Sequence, residues 1–325
     1  MKTILVTGGN GFIGNNFVRY ILEHTDMQVI NIDKLTYAGV SPHPQTPRYK
    51  FHQLDICDEA LLNILRLEKP DFIVNFAAET HVDRSIEFPN EFVQTNVMGT
   101  YNLLKCLKRY RETNEFKFVH ISTDEVFGQL THDSPAFTEN TPYNPSSPYS
   151  ATKASSDHLV RAFNHTYGLP AMITNCSNNY GSYQYPEKFI PVVILKAHLN
   201  KQIPIYGTGL NIRDWLYVTD HCAAIYQVLL NGEDGRSYNI GGNSERNNLE
   251  VVTEILRIMK KPQSLISFVE DRKGHDFRYA MDISRIKNEL NWSPSFSFES
   301  GLEKTVTWYI NNLDWVNSCV NLESF

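Results

Sequence analysis

The sequence predicts an α/β fold: a doubly wound parallel sheet, joined to a smaller C-terminal α/β region that binds substrate. Three observations lead there. Short β-branched runs alternate with helical patterns through the first half of the chain, as expected for a parallel sheet covered by helices on both faces. A glycine-rich turn directly follows the first of those runs. Beyond about Asn178 the alternation gives way to mixed segments. With 325 residues, 42% of them apolar, the chain can bury a substantial core.

Five strands are expected at 3–6, 29–32, 49–52, 72–76 and 118–121, and a sixth at 171–174. Leu61, Leu62 and Leu65 have helical spacing behind Asp58, which reads as the N-cap. Longer helices are expected at about 91–110 and 150–167. Between 128 and 148, Pro135, Pro142, Pro145 and Pro148 exclude a helix or central strand and leave a long loop. Further helices are expected at 188–199, 219–230, 249–259 and 298–309. The division is a dinucleotide-binding unit over 1–177, to which later segments return, and a mainly substrate-binding region over 178–325.

Thirty basic and 36 acidic residues give a net charge of −6 without long runs of either sign, so nucleic acid is not an expected partner. Cys57, Cys106, Cys176, Cys222 and Cys319 are scattered, with no CxxC pair, which points to a reducing compartment and the cytoplasm and calls for no metal. Gly8 and Gly9 interrupt the apolar start too early for a signal peptide, and no run approaches the ~18 apolar residues of a spanning helix, so no membrane association is expected.

Gly8-Gly9-Asn10-Gly11-Phe12-Ile13-Gly14 follows the first strand and opens a helix, placing glycines where a backbone must turn tightly and approach a pyrophosphate. Asp33 closes the second strand, 19 residues after Gly14. A carboxylate there accepts hydrogen bonds from the adenosine ribose hydroxyls and repels a 2′-phosphate, which favours NAD over NADP. The positive charge of Lys34 beside it pulls against that preference. Asp55 and Ile56 at the end of the third strand could bracket the adenine or simply begin a turn.

Tyr149-Ser-Ala-Thr-Lys153 places a phenol and an ammonium one helical turn apart, an arrangement that lowers the tyrosine pKa toward use as a base. Ser122-Thr123-Asp124-Glu125-Val126-Phe127-Gly128 ends the fifth strand, where ligands lie in open α/β sheets. Thr123 can bond a sugar hydroxyl, and the adjacent Asp124 and Glu125 offer an acid and a base if their surroundings separate their pKa values. A solvated acidic turn is the plain alternative.

Taken in order with Asp33–Gly39, Ala77–Ser85, Asn175–Gly181, Pro186–Lys188, Arg213–Tyr217 and Asp271–His275, these motifs resemble the dTDP-glucose 4,6-dehydratases, members of the extended short-chain dehydrogenase group with a Rossmann-type sheet. The resemblance runs from about Lys2 to Tyr309. It implies Tyr149 as the base for oxidation with Lys153 beside it, Asp124 as proton donor, Glu125 as proton acceptor and Thr123 as a substrate partner. NAD would be held by Gly8, Gly11, Phe12, Ile13, Gly14, Asp33, Lys34, Leu35, Thr36, Asp55, Ile56, Phe76, Ala77, Ala78, Thr80, Thr95, Tyr149, Lys153 and Asn179. The nucleoside-diphosphate hexose would be held by Thr80, Thr123, Asn178, Lys188, Phe189, Pro204, Ile205, Tyr206, Arg213, Asn248, Asp271, Arg272 and His275. Of these, Lys188, Arg213 and Arg272 have the charge to offset a diphosphate.

The chain departs from the family at Val40-Ser-Pro-His-Pro, where the family has Asn-Leu in a longer loop, and at Phe127, where it has Tyr and hence one more hydroxyl beside the carboxylates. Uracil and thymine differ by one methyl, worth only ~1–3 kcal/mol in a pocket, and the residues alone leave that choice of base open. A UDP-sugar 4,6-dehydratase and a nucleotide-sugar 4-epimerase share most of these features. The epimerase has no use for a carboxyl pair, however, and a non-catalytic NAD-binding regulator would need neither Tyr149 nor Glu125. A homodimer is expected from the resemblance and from the two long helices at 91–110 and 150–167, with Leu103, Leu104 and Leu107 facing either a partner or the sheet.

Overall fold

The structure, a computed structural model, describes residues 1–271, 275–322 and 325. Seven strands form one parallel sheet: β1 (Thr3–Thr7), β2 (Gln28–Asp33), β3 (Tyr49–Gln53), β4 (Phe72–Asn75), β5 (Lys117–Thr123), β6 (Ala171–Cys176) and, after three short strands, β10 (Ser237–Ile240). Those three are β7 (Asn178–Tyr180), β8 (Ile203–Tyr206) and β9 (Ile212–Tyr217), and β11 (Glu245–Asn247) and β12 (Ile266–Val269) follow β10. The spatial order is β10-β6-β5-β4-β1-β2-β3, with every pair parallel. Val6 therefore lies beside Asn31 on one side and Val74 on the other. The chain winds outward from β1 in both directions, so a crevice opens where β1 and β4 part, at the carboxyl ends of the strands.

Strand alternation sends Ile4 and Val6 to one face and Leu5 to the other. Ile4 and Val6 meet Phe17, Val18 and Ile21 of the helix Phe12–His24, together with Ile225 and Val228 of the helix Val218–Asn231. Leu5 meets Leu61 and Leu65 of Leu61–Glu68, Leu103 and Leu107 of Thr100–Arg111, and Val160 of Pro148–Tyr167. Leu103, Leu104 and Leu107 are fully buried in this second layer and face the sheet. A third cluster, built around Ile194, Val252, Ile255 and Leu302, lies under the small sheets β11-β9-β7 and β12-β8.

The expected strands are present, extended by one to three residues or, at β4, one shorter. The seventh, β10, went unforeseen because Ser-Tyr-Asn-Ile, although it alternates, is only four residues long and has no β-branched run. Asp58 is not the cap of the second helix. The cap is Ala60, and the Asp58 carboxylate instead accepts the Ala60 N–H at 2.8 Å in the preceding turn. The helix expected at 91–110 is three pieces: Pro89–Phe92, a π-helical stretch Val93–Gly99, and Thr100–Arg111. Such widened turns cluster at functional sites, and this one carries Thr95 into the crevice. Ser147 caps the helix Pro148–Tyr167 through a capping box with Ser150, which sets Tyr149 in the first turn. Among the described residues no helix is long and apolar enough to cross a membrane.

Candidate active site

The site begins with a close approach of backbones. Gly8 sits at φ +71°, and a β-carbon on it would stand 2.6 Å from the Ala77 nitrogen, so only glycine lets β1 leave the sheet this near β4. At Gly14 a β-carbon would meet the Gly8 carbonyl oxygen at 2.3 Å, which seats the helix Phe12–His24 directly on the turn. Gly11 is the N-cap and makes no side-chain cap, leaving the first-turn N–H groups for an anion in the crevice. A β-carbon on Gly11 would meet no protein atom nearer than 3.4 Å, so the space it would fill belongs to the crevice. This cradle fits a dinucleotide pyrophosphate.

At the outer end, the Leu35 N–H donates to Asp33 Oδ1 at 2.8 Å and the Asn10 N–H to Oδ2 at 2.9 Å. Burial pushes the Asp33 carboxyl up, against those two hydrogen bonds and the Lys34 charge. Each oxygen keeps acceptor capacity for a ribose hydroxyl. Lys34 donates to Thr95 Oγ1 at 2.9 Å and lies 3.6 Å from Asp55 and 3.9 Å from Glu79. Its charge is thus neutralised within the site, which answers the objection it raised to NAD.

Every residue expected at the cofactor except Leu35 lines this one cleft. Leu35 lies in the left-handed region at φ +61°, its side chain is turned out, and it serves through the N–H that orients Asp33. The cleft continues to Thr123, Asp124, Glu125, Tyr149 and Lys153. Thr123 ends β5, and its hydroxyl donates to Asp124 Oδ1 at 3.2 Å while accepting the Glu125 N–H at 3.3 Å. Asp124 is 2% exposed, and Oδ2 has no hydrogen-bond partner. Burial, then the nearby Glu125 and Asp214 carboxylates, hold it well above the usual carboxylate range, which favours the protonated acid. Glu125 is less buried. The two neighbours therefore occupy different environments.

Tyr149 differs from expectation. Burial and then Glu125 push its hydroxyl well above the ordinary value, and a hydrogen bond with Thr123 works in the other direction. Lys153 donates to the Ile121 carbonyl at 2.7 Å. Proximity in sequence alone does not bring the ammonium onto the phenol.

Among the residues expected at the nucleotide sugar, Thr80, Thr123, Asn178 and Lys188 line the cleft, and Lys188 donates to the Thr80 carbonyl across it. Arg213 is 7% exposed, donates to the carbonyls of Ile212, Asp276 and Phe277, and packs over the Tyr279 ring. Its charge also acts on Asp124 from beyond the cleft wall. Tyr206, Asp271 and His275 gather at the end of β8, with His275 Nδ1 2.7 Å from Asp271 Oδ1 and its ring 6.4 Å from that of Tyr206. Asn248, joined through its N–H to Asn211, opens the helix Asn248–Met259 nearby. Two residues do not fit a contact role. Ile205 is 1% exposed in the third cluster, because strand alternation turns it inward between Pro204 and Tyr206. Phe189 stacks on Trp215 outside the cleft. Arg272 lies outside the described residues.

Phe127, expected beside the carboxylates, instead stacks on Phe137 and meets Tyr143 edge-on in an apolar cluster. Its missing hydroxyl therefore bears on packing. The 40–44 loop is tied down by Asn10, which donates to Ser41 O, and by His43 against Phe51. Sequence reasoning missed Ser177, Gln184, Tyr185 and Glu187 in the lining. Glu187 accepts from Tyr37 at 2.8 Å across the cleft, a pairing 150 residues apart with no local signal.

Residues 5–305 match the family model for GDP-mannose 4,6 dehydratase. The dTDP-glucose 4,6-dehydratase of Neisseria meningitidis serogroup B is 51% identical, over 99% of this chain and 97% of that one. A crystal structure of dTDP-glucose 4,6-dehydratase from Bacillus anthracis in complex with NAD superposes with TM-score 0.90 at 46% identity, covering 98% of this chain and all of that one. The Streptomyces venezuelae dTDP-glucose 4,6-dehydratase, with NAD and dTDP bound, superposes with TM-score 0.92 at 43% identity over the same shares.

The burial of Asp124 makes its protonation state measurable. Infrared difference spectra at neutral pH between the protein and its Asp124→Asn variant are expected to contain the C=O stretch of a protonated carboxyl that the variant lacks. A difference showing only carboxylate bands would mean that Asp124 is ionised and cannot be the acid.

Proposed function

The chain belongs to the dTDP-glucose 4,6-dehydratase family, and from that membership we propose that it is an NAD-dependent hydro-lyase that converts dTDP-glucose to dTDP-4-keto-6-deoxyglucose and water. One observation carries the assignment of the reaction to these residues. A fully buried Asp124, held well above the usual carboxylate range, and a less buried Glu125 stand side by side at a strand end, next to Tyr149. Elimination needs an acid and a base at one place, and epimerisation does not.

The glycine cradle of Gly8, Gly11 and Gly14 would hold the pyrophosphate of NAD, with Asp33 on the adenosine ribose and Asp55 and Ile56 near the adenine. The chemistry NAD supplies when bound is to accept the C4 hydride and return it to C6, its oxidised ring adding a positive charge that favours phenolate. Tyr149, bonded to Thr123, takes the proton of the sugar O4. The resulting C4 ketone acidifies the hydrogen on C5, which Glu125 removes. Asp124 gives its proton to the C6 hydroxyl, which leaves as water. A proton then returns to C5.

Lys188 and Thr80 face the sugar nucleotide in the cleft, and Tyr206, Asn248, Asp271 and His275 would receive its distal part. The exposed Val93, Met98 and Tyr101, with Tyr167 on the neighbouring helix, support a homodimer through that face. The five free cysteines support a cytoplasmic location, tested by whether the protein fractionates with cytoplasmic markers.

Glu125→Gln is expected to retain NAD while dehydration falls on the order of 10²–10⁴-fold. With the unaltered protein, dTDP-glucose should lose the mass of one water. When C4-deuterated substrate is mixed with unlabelled substrate that carries a carbon label, deuterium should reach C6 only in molecules that began with it. Scrambling between the pools, stoichiometric NADH or an unchanged mass would each refute the reading. Light scattering at micromolar concentration should give twice the chain mass, and a monomer's mass would remove the dimer.

A further inference from the structure

The helix Pro148–Tyr167 carries a third ionisable residue on the face that holds Tyr149 and Lys153. Asp157 stands one turn beyond Lys153 and is fully buried, although nothing in the dehydration chemistry touches it. Its Oδ2 accepts from Ser122 Oγ at 2.7 Å, from Tyr143 OH at 2.8 Å and, at 3.5 Å, from Asn175 Nδ2. Ser122 directly precedes Thr123, and Asn175 also donates to the Thr123 carbonyl at 3.2 Å. The carboxylate thus grips the strand end that presents Thr123 and Asp124.

Its other oxygen has no hydrogen-bond donor and lies 3.5 Å from His120 Nε2. His120 is no counter-ion, because burial and then the Lys153 charge push its pKa well below the ordinary value. Its Nδ1 faces the Asn75 amide at 3.0 Å, consistent with a neutral ring. Two cations flank Asp157 on its own helix. Arg161 is engaged with Tyr143 OH at 2.8 Å and Ser237 Oγ at 3.2 Å. Lys153 is 5% exposed, and its ammonium donates to the neutral Ile121 carbonyl. An ammonium so buried discharges unless a negative charge shares its low-dielectric surroundings. Burial lowers the Lys153 pKa, while Asp157 and, less strongly, Cys176 raise it. Around the pair stand His120 and Ser122 from β5, Tyr143 from the proline-rich loop, Asn175 and Cys176 from β6, Tyr149 and Arg161 from the helix itself, and Asp124 and Glu125 from the turn after β5. Burial raises the Asp157 pKa, while the Lys153 charge and the hydrogen bonds from Ser122 and Tyr143 lower it, and the two residues lie buried one turn apart on the same helix.

We propose that Asp157 is a positioning residue for the dehydration: it is the counter-charge that keeps the Lys153 ammonium charged in the cleft it shares with Tyr149, and it locks the strand end carrying Thr123 and Asp124. The inference rests on the reading of Tyr149 as the base. Without the carboxylate, Lys153 loses its proton at lower pH. The cleft that Lys153 and Tyr149 share then loses that positive charge, and Tyr149 ionises only at higher pH.

The test compares kcat against pH for the NAD-loaded protein and its Asp157→Asn, Asp157→Glu and Ser122→Ala variants. In Asp157→Asn the acid limb should move to higher pH by about one unit or more. Asp157→Glu should bring the limb back, and Ser122→Ala, which loses the hydrogen bond but keeps the charge, should leave it in place. A slower Asp157→Asn enzyme with an unmoved limb would reduce the residue to a structural one and overturn the proposal. Should Asp157→Asn fold poorly, thermal melting decides the matter. Adding Lys153→Met to Asp157→Asn should cost less melting temperature than the sum of the two single losses, because the double variant leaves neither an uncompensated ammonium nor an uncompensated carboxylate. Additive losses in the double variant would overturn the pairing. Failure of the underlying reading is separable, since turnover by Tyr149→Phe would refute the base while leaving the melting cycle to judge Asp157.

Discussion

The Gly8 carbonyl packs where a side chain on Gly14 would stand, and Ala77 backbone packs where one on Gly8 would stand, so three segments meet with no room for a β-carbon. That contact allows β1 and β4, neighbours in the sheet, to turn in opposite directions at their carboxyl ends. The crevice between them, the direction of the helix Phe12–His24, and the reach from Asp33 to Thr123 all follow from it. A substitution there would not merely remove a ligand contact. It would separate the cofactor end of the cleft from the end that holds the carboxylates.

Within that frame, local burial decides which acids carry charge. Asp33 is buried but receives two backbone N–H groups, whereas Asp124 is buried with one oxygen unpaired and is pushed well above the usual carboxylate range. Lys34 is balanced by Asp55 and Glu79 inside the cleft. Two carboxyls adjacent in sequence thus come to stand in different surroundings, because one points into the protein and its neighbour is less enclosed. In a low-dielectric cleft such differences in surroundings outweigh the chemical similarity of Asp and Glu.

The parallel sheet, the glycine turn, the carboxyl pair and the Tyr149-to-Lys153 spacing were legible in the sequence because each is local. A turn needs its glycines within a few residues, and a strand announces itself by its own β-branched side chains. Neither applies to β10, whose four residues become a strand only because the exposed edge of β6 accepts them. Nor does it apply to Val93–Gly99, where the expected α-helical repeat widens by one residue and brings Thr95 to Lys34.

What the sequence by itself determined was the inventory: which residue types stand at the ends of which strands, and hence a dinucleotide turn followed by an acid, a base and a phenol. The tertiary structure alone decided their electrical states and their outer partners. The Asp124 pKa is raised by what surrounds it, Phe127 belongs to an apolar cluster, and Ile205 faces the core. Asp157 reaches Ser122, Tyr143 and Asn175, and none of these is a neighbour in the chain. The physical reason is that desolvation and charge pairing depend on distances through space, and pairs such as Tyr37 with Glu187 are set by how the layers pack.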